Sequence, residues 1–125
     1  MTALFGTTLT CIDGRIQRPV SDFLTTRFGV VHVDKVTRAG MIKYLLPNYD
    51  PATNLIIEDL ETSINGHQSR QIALVAHQDC AGNPISDEEQ QGQLREAVAN
   101  YRRRYPAYEV IGLWLGAGWA VEVFE

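Results

Sequence analysis

Gln71-Ile72-Ala73-Leu74-Val75-Ala76-His77-Gln78-Asp79-Cys80 is the stretch on which the reading of the fold turns. Residues 71–76 are an unbroken apolar run, short enough for a strand and lacking the alternation of a half-exposed one. That pattern belongs to a strand covered on both faces, as in a parallel sheet packed between helices. Both neighbours fit. Upstream, Asp50 is a good N-cap, Pro51 suits the first helical position and Gly66 follows the end. Between them Ile56, Leu60 and Ile64 recur every fourth residue. Downstream, Ser86-Asp87-Glu88-Glu89 makes a capping box. The helix it opens carries Leu94, Val98, Tyr101 and Tyr105 on one stripe, and Pro106 ends it.

Working outward, a first strand is expected over residues 3–12. A short helix follows Pro19, with Val20, Phe23 and Leu24 on one face and Gly29 as its stop, and a second strand covers 30–36. Residues 109–115 and 119–124, separated by Gly116-Ala117-Gly118, read as a closing hairpin. Those glycines are a turn rather than a phosphate loop, because no helix follows them. The fold class is therefore α/β, a mainly parallel sheet with flanking helices and a C-terminal antiparallel hairpin, in one domain over 1–125.

The 125 residues, 45% hydrophobic and 21% charged, are those of an ordinary globular protein. Such a chain buries roughly two thirds of its unfolded surface, so a metal is not needed merely to hold it together. A net charge of −4 argues against nucleic acid as a partner. The one basic cluster, Arg102-Arg103-Arg104, complements the negative end of a helix dipole. No apolar run reaches the ~20 residues that span a bilayer. The N-terminus lacks the pattern of a secretory signal, so a cytoplasmic protein is expected, whose two cysteines serve as thiols or metal ligands.

Chemistry concentrates in two segments, Cys11-Ile12-Asp13-Gly14-Arg15 after the first strand and His77-Gln78-Asp79-Cys80 after the third. Ligands of doubly wound sheets bind beyond the C-terminal ends of neighbouring strands whose crossovers diverge. If strands one and three are neighbours, both segments meet there. Cys11, His77 and Cys80 then make a three-ligand zinc set with a fourth position open to water, which the metal acidifies. Asp13 is placed to accept a hydrogen bond at that position, and Arg15 to hold Asp13 ionised. Taken singly, each residue has a plainer reading: Cys11 as a small core residue, His77 as a strand-end histidine, Asp13 and Arg15 as a surface pair. A thiol redox site is disfavoured, since the cysteines lack Cys-x-x-Cys spacing.

Cys-x-Asp-x-Arg followed by His-x-x-Cys resembles the zinc motif of the β-class carbonic anhydrases. Thr37-Arg38-Ala39-Gly40 is similar to that family's Arg-Asn-Ala-Gly, and Ala81-Gly82 and Val110-Ile111-Gly112-Leu113 also look like its core. The resemblance implies a zinc lyase that hydrates CO2 to bicarbonate by zinc-bound hydroxide. Asp13 would orient the hydroxide with Arg15 as its partner, or would itself take the fourth zinc position. It also implies an active-site cleft between subunits, hence a homodimer or larger assembly. Two departures stand out: Ala76 replaces a usual glycine, and Gln78 a usual small hydroxyl residue. They keep two alternatives in view, a non-catalytic zinc-binding module and a zinc hydrolase of another small linear electrophile. Elsewhere, His32 is expected mid-strand and His67 in a loop without a partner. Trp114 and Trp119 are expected in the core or at a subunit contact. Tyr44-Leu45-Leu46 line a pocket, meet a partner, or simply pack.

Overall fold

A computed structural model describes residues 4–48 and 50–124. Five strands, β1 (Phe5–Thr10), β2 (His32–Thr37), β3 (Gln71–His77), β4 (Glu109–Leu115) and β5 (Val121–Val123), form one sheet in the order β2-β1-β3-β4-β5. The first four are parallel, and β5 returns antiparallel to β4. Helices α1 (Gly14–Phe28), α2 (Pro51–Gly66) and α3 (Asp87–Arg104) make the crossovers.

The strand period of two sorts β3 onto two cores. Ile72, Leu74 and Ala76 pack with Ile56 and Leu60 of α2 and with Leu94 and Val98 of α3. Ala73 and Val75 pack with Ile16, Val20 and Leu24 of α1. With α1 on one face and α2 and α3 on the other, the crossovers diverge between β1 and β3. The expected adjacency of these two strands holds, and the crevice opens at their C-terminal ends.

The caps of α2 and α3 act as their sequences suggest. The Asp50 side chain accepts from the Ala52 amide, and both halves of the Ser86/Glu89 box are made. Gly29 ends α1 in the left-handed conformation, at φ 66°.

Several boundaries differ from expectation. α1 starts at Gly14, well before Pro19, because Asp13 caps it by accepting from the Arg15 amide. Pro19 is accommodated inside, since its fixed φ suits a helix even though one backbone bond is lost. β1 stops at Thr10, leaving Cys11 and Ile12 beyond it, and its expected start at Ala3 lies outside the described residues. β2 begins at His32 rather than at residue 30, because the Val30 amide bonds back to Thr25 in the helix cap. His32 is thus the strand's exposed first residue. β3 runs one residue further than expected, to His77.

Trp119 belongs not to a strand but to the short 3₁₀ turn Ala117–Trp119 that carries the closing glycines. Trp114 lies in the core, as does Leu45, while Tyr44 is half-buried. His67 does have partners: its Nδ1 lies 2.6 Å from Asp34 Oδ2 and its ring stacks on Phe5 at 3.9 Å.

Candidate metal centre

The crevice brings Cys11, His77 and Cys80 together, all at least 95% buried. Their donor atoms lie within 4.8 Å of one another. Among the described residues no other group of three or more His, Cys, Asp or Glu residues is close enough to share a metal ion. The sulfurs are 3.8 Å apart. Two zinc–sulfur bonds of about 2.3 Å at a tetrahedral angle separate their sulfurs by about 3.8 Å. His77 Nδ1 donates to the Gln78 carbonyl at 2.6 Å, and the buried Nε2 has no hydrogen-bond partner among the described residues. A buried polar atom with no partner is costly, and a metal ion would satisfy this one. The donor set fits zinc.

Backbone geometry places each candidate donor. Cys11 follows the last residue of β1, and its carbonyl is held by Gln17 Nε2 from the first turns of α1. The Gly40 amide donates to Cys11 Sγ at 3.4 Å. Gly40 is left-handed, at φ 67°, and a side chain there would strike the backbone of Gly82. The loops that follow β2 and Cys80 therefore touch main chain to main chain. His77 closes β3, and the Gln78 amide bonds to Leu115 of β4. Asp79 then takes a left-handed turn, at φ 51°, that carries the chain to Cys80.

The electrostatics suit a metal-binding thiolate. Burial pushes the Cys11 thiol up, but the facing His77 imidazole and the Gly40 and Asp13 amides more than offset this and lower it to about 6. Cys80 is raised by its burial and by the neighbouring charge on Cys11. Burial alone would lower His77, yet its pKa is raised by Cys11, the Gln78 carbonyl and Asp13.

Asp13 and Arg15 are brought to the rim of the same crevice. Arg15 grips Asp13 through Nε at 3.1 Å and an NH2 nitrogen at 2.7 Å, in addition to the 2.9 Å cap from its own amide. These bonds hold the Asp13 carboxyl down to about 2. Asp13 Oδ2 lies 4.0 Å from the His77 ring.

A family model described as "Putative carbonic anhydrase" matches residues 1–125. The chain belongs to that family. No curated protein matches the sequence at a significant level. Among solved structures, the carbonic anhydrase of Streptococcus mutans is 14% identical, with a TM-score of 0.64 over 99% of this chain and 82% of that one. That of Glaciozyma antarctica is 12% identical, with a TM-score of 0.65 over 99% and 83%. A structure titled as two tetrameric β-carbonic anhydrases from Sordaria macrospora is 15% identical, with a TM-score of 0.54 over 98% and 81%. At these identities the likeness is one of fold, and it covers nearly the whole chain.

In this carbonic anhydrase family member, two further residues stand at the rim without a role expected from the sequence. Asp79 bonds Arg15 through Oδ2 and through its carbonyl, both at 3.2 Å. Its place between His77 and Cys80 was the available signal. Trp119 lies over the Arg15 guanidinium at 4.3 Å and 6.2 Å from the His77 ring. Only the sheet order brings it there, so no local pattern marks it. Among the described residues, no helix is long and apolar enough to cross a membrane.

Proposed function

We propose that residues 1–125 form a single zinc-binding domain that reversibly hydrates CO2 to bicarbonate. Cys11, His77 and Cys80 hold the metal, and Asp13 and Arg15 serve the chemistry. The observation that carries this reading is the buried pair of sulfurs at tetrahedral separation facing an unpartnered histidine nitrogen. Zinc, when bound, would acidify a water and supply the nucleophile near neutral pH. Asp13, ionised far below neutrality, offers a hydrogen-bond acceptor beside the histidine. Arg15 fixes the direction of that acceptor with two side-chain donors. The Gly40 amide stabilises charge on Cys11. Two free thiols suit a reducing compartment, and the cytoplasm is the proposed location.

Metal analysis of purified protein, followed by stopped-flow CO2 hydration on the same sample, tests the reading. About one zinc per chain is expected, with most of it lost in Cys80→Ser and in His77→Ala. Full zinc retention in both variants would sink the ligand assignment. Full zinc without hydration above buffer between about pH 6.5 and 9, the range around which zinc-bound water ionises, would leave a non-catalytic zinc module.

A further inference from the structure

The rim of the crevice holds one feature the proposed chemistry does not use. Arg15 is gripped from three directions. Asp13 takes two of its side-chain donors, Asp79 takes an NH1 and an NH2 hydrogen, and the Trp119 indole covers the guanidinium. Trp119 reaches this place from a strained turn. Its own φ is 61°, a conformation that residues other than glycine seldom adopt, and Gly118 before it is also left-handed. A plain connection between β4 and β5 would not require a large aromatic residue in that conformation. Aiming an indole from the end of the sheet onto the first turn of α1 does.

We infer that Trp119 is a positioning residue that holds Arg15, and through it Asp13, away from the metal, so that the metal's fourth position stays open. This inference rests on the proposed zinc-site reading. Asp13 lies beside the His77 ring. It can turn toward a metal held there only by giving up its bonds to the Arg15 side chain. Arg15 is half exposed, so water competes for its donors. What water cannot replace is the indole face, which excludes solvent from one side of the guanidinium and attracts its charge. Removing that face leaves Arg15 held only by the Asp13 and Asp79 bonds, which water contests, so Asp13 turns toward the metal more often and closes the site.

Two measurements test this, one of them without metal. In the metal-free protein the Arg15 Nε–H proton should carry a ring-current shift in a proton–nitrogen NMR spectrum. The shift should be lost in Trp119→Leu and largely kept in Trp119→Phe. In the cobalt(II) form, thiocyanate binding followed by visible absorption reads the open position. Trp119→Leu should bind thiocyanate roughly three- to thirty-fold more weakly, the range of a cation–π contact between exposed and desolvated limits. Trp119→Phe should stay near wild type. Adding Asp13→Asn to Trp119→Leu should restore binding, because the ligand that closes the site is gone. Wild-type thiocyanate affinity in Trp119→Leu would overturn the inference, as would an Arg15 signal that ignores the substitution. Failure of the wild type to take up cobalt would instead overturn the metal reading, and the Arg15 signal would still report whether the clamp exists.

Discussion

Replacing Asp13 with asparagine keeps the side chain's size and its ability to cap α1, but removes the charge that Arg15 grips. The Asp13→Asn protein should fold and keep its zinc, while CO2 hydration falls by roughly ten- to a thousand-fold, as when one oriented polar group is lost from a reacting centre. Stopped-flow rates set against zinc content check this; an unchanged rate would remove Asp13 from the chemistry. Gly40→Ala probes the scaffold instead. A Cβ there would collide with the Gly82 carbonyl oxygen, on a left-handed backbone. The loops must part, and the cost should be about 2 kcal/mol or more, with weaker zinc binding. Urea melts of the metal-free protein and a competitive chelator titration measure the two effects. Tyr101 is a third case. Its hydroxyl is buried with no partner among the described residues, so Tyr101→Phe should stabilise the fold by about 1 kcal/mol.

At the scale of elements, the same tyrosine gives α3 a pH signature. Burial pushes Tyr101 up to about 12 from an ordinary 10.0, so between these values the folded chain keeps a proton that the unfolded chain releases. Stability is fully present below pH 10 and falls as pH rises, by up to about 1.4 kcal/mol per unit from this group. Tyr105, also raised by burial, adds to the slope. Urea melts at pH 9 and 11 should show the loss, and Tyr101→Phe should flatten it in part; an unchanged slope would reject the burial argument. The elements also show where sequence is informative. α2 and α3 were legible because their caps are local, a side chain and an amide two or three residues apart. The start of α1 is less legible, because Pro19 resembles a first helical residue while the true cap, Asp13, sits in a segment whose residue types also suit a metal site. The three donors were legible because both segments end strands. Trp119 and Asp79 were not, because their target, Arg15, is 64 positions from Asp79 and reached only through the sheet.

For the whole molecule, the sheet's outer strands bear on assembly. At one edge β5 is only three residues long, too short to invite much pairing, whereas at the other β2 is a six-residue outer strand whose only strand partner among the described residues is β1, so its open side can pair with another chain. A homodimer or larger assembly is expected, and sedimentation showing only monomer at micromolar concentration would count against it. One hydrophobic core contains none of the three donors and the other includes only Cys11 and Cys80 of them, so the metal-free protein should remain folded by circular dichroism, and collapse on chelation would make the metal structural.

The spacing of the two cysteines has a kinetic consequence. Cys11 and Cys80 are 69 positions apart, and every contact that joins their two segments, from the pairing of β1 with β3 to the Arg15–Asp79 bonds and the approach of Gly40 to Gly82, is long-range. In a growing or refolding chain the donors are strangers until α1, β2 and α2 have been laid down and β3 has found its neighbour. Closing so long a loop is slow compared with forming a helix, and an ion held by one sulfur does little to hasten it. On the proposed zinc-site reading, metal capture should be a late event, a clock that strikes when the sheet is finished. Refolding should proceed at the same rate with or without a chelator, with zinc uptake trailing the recovery of secondary structure.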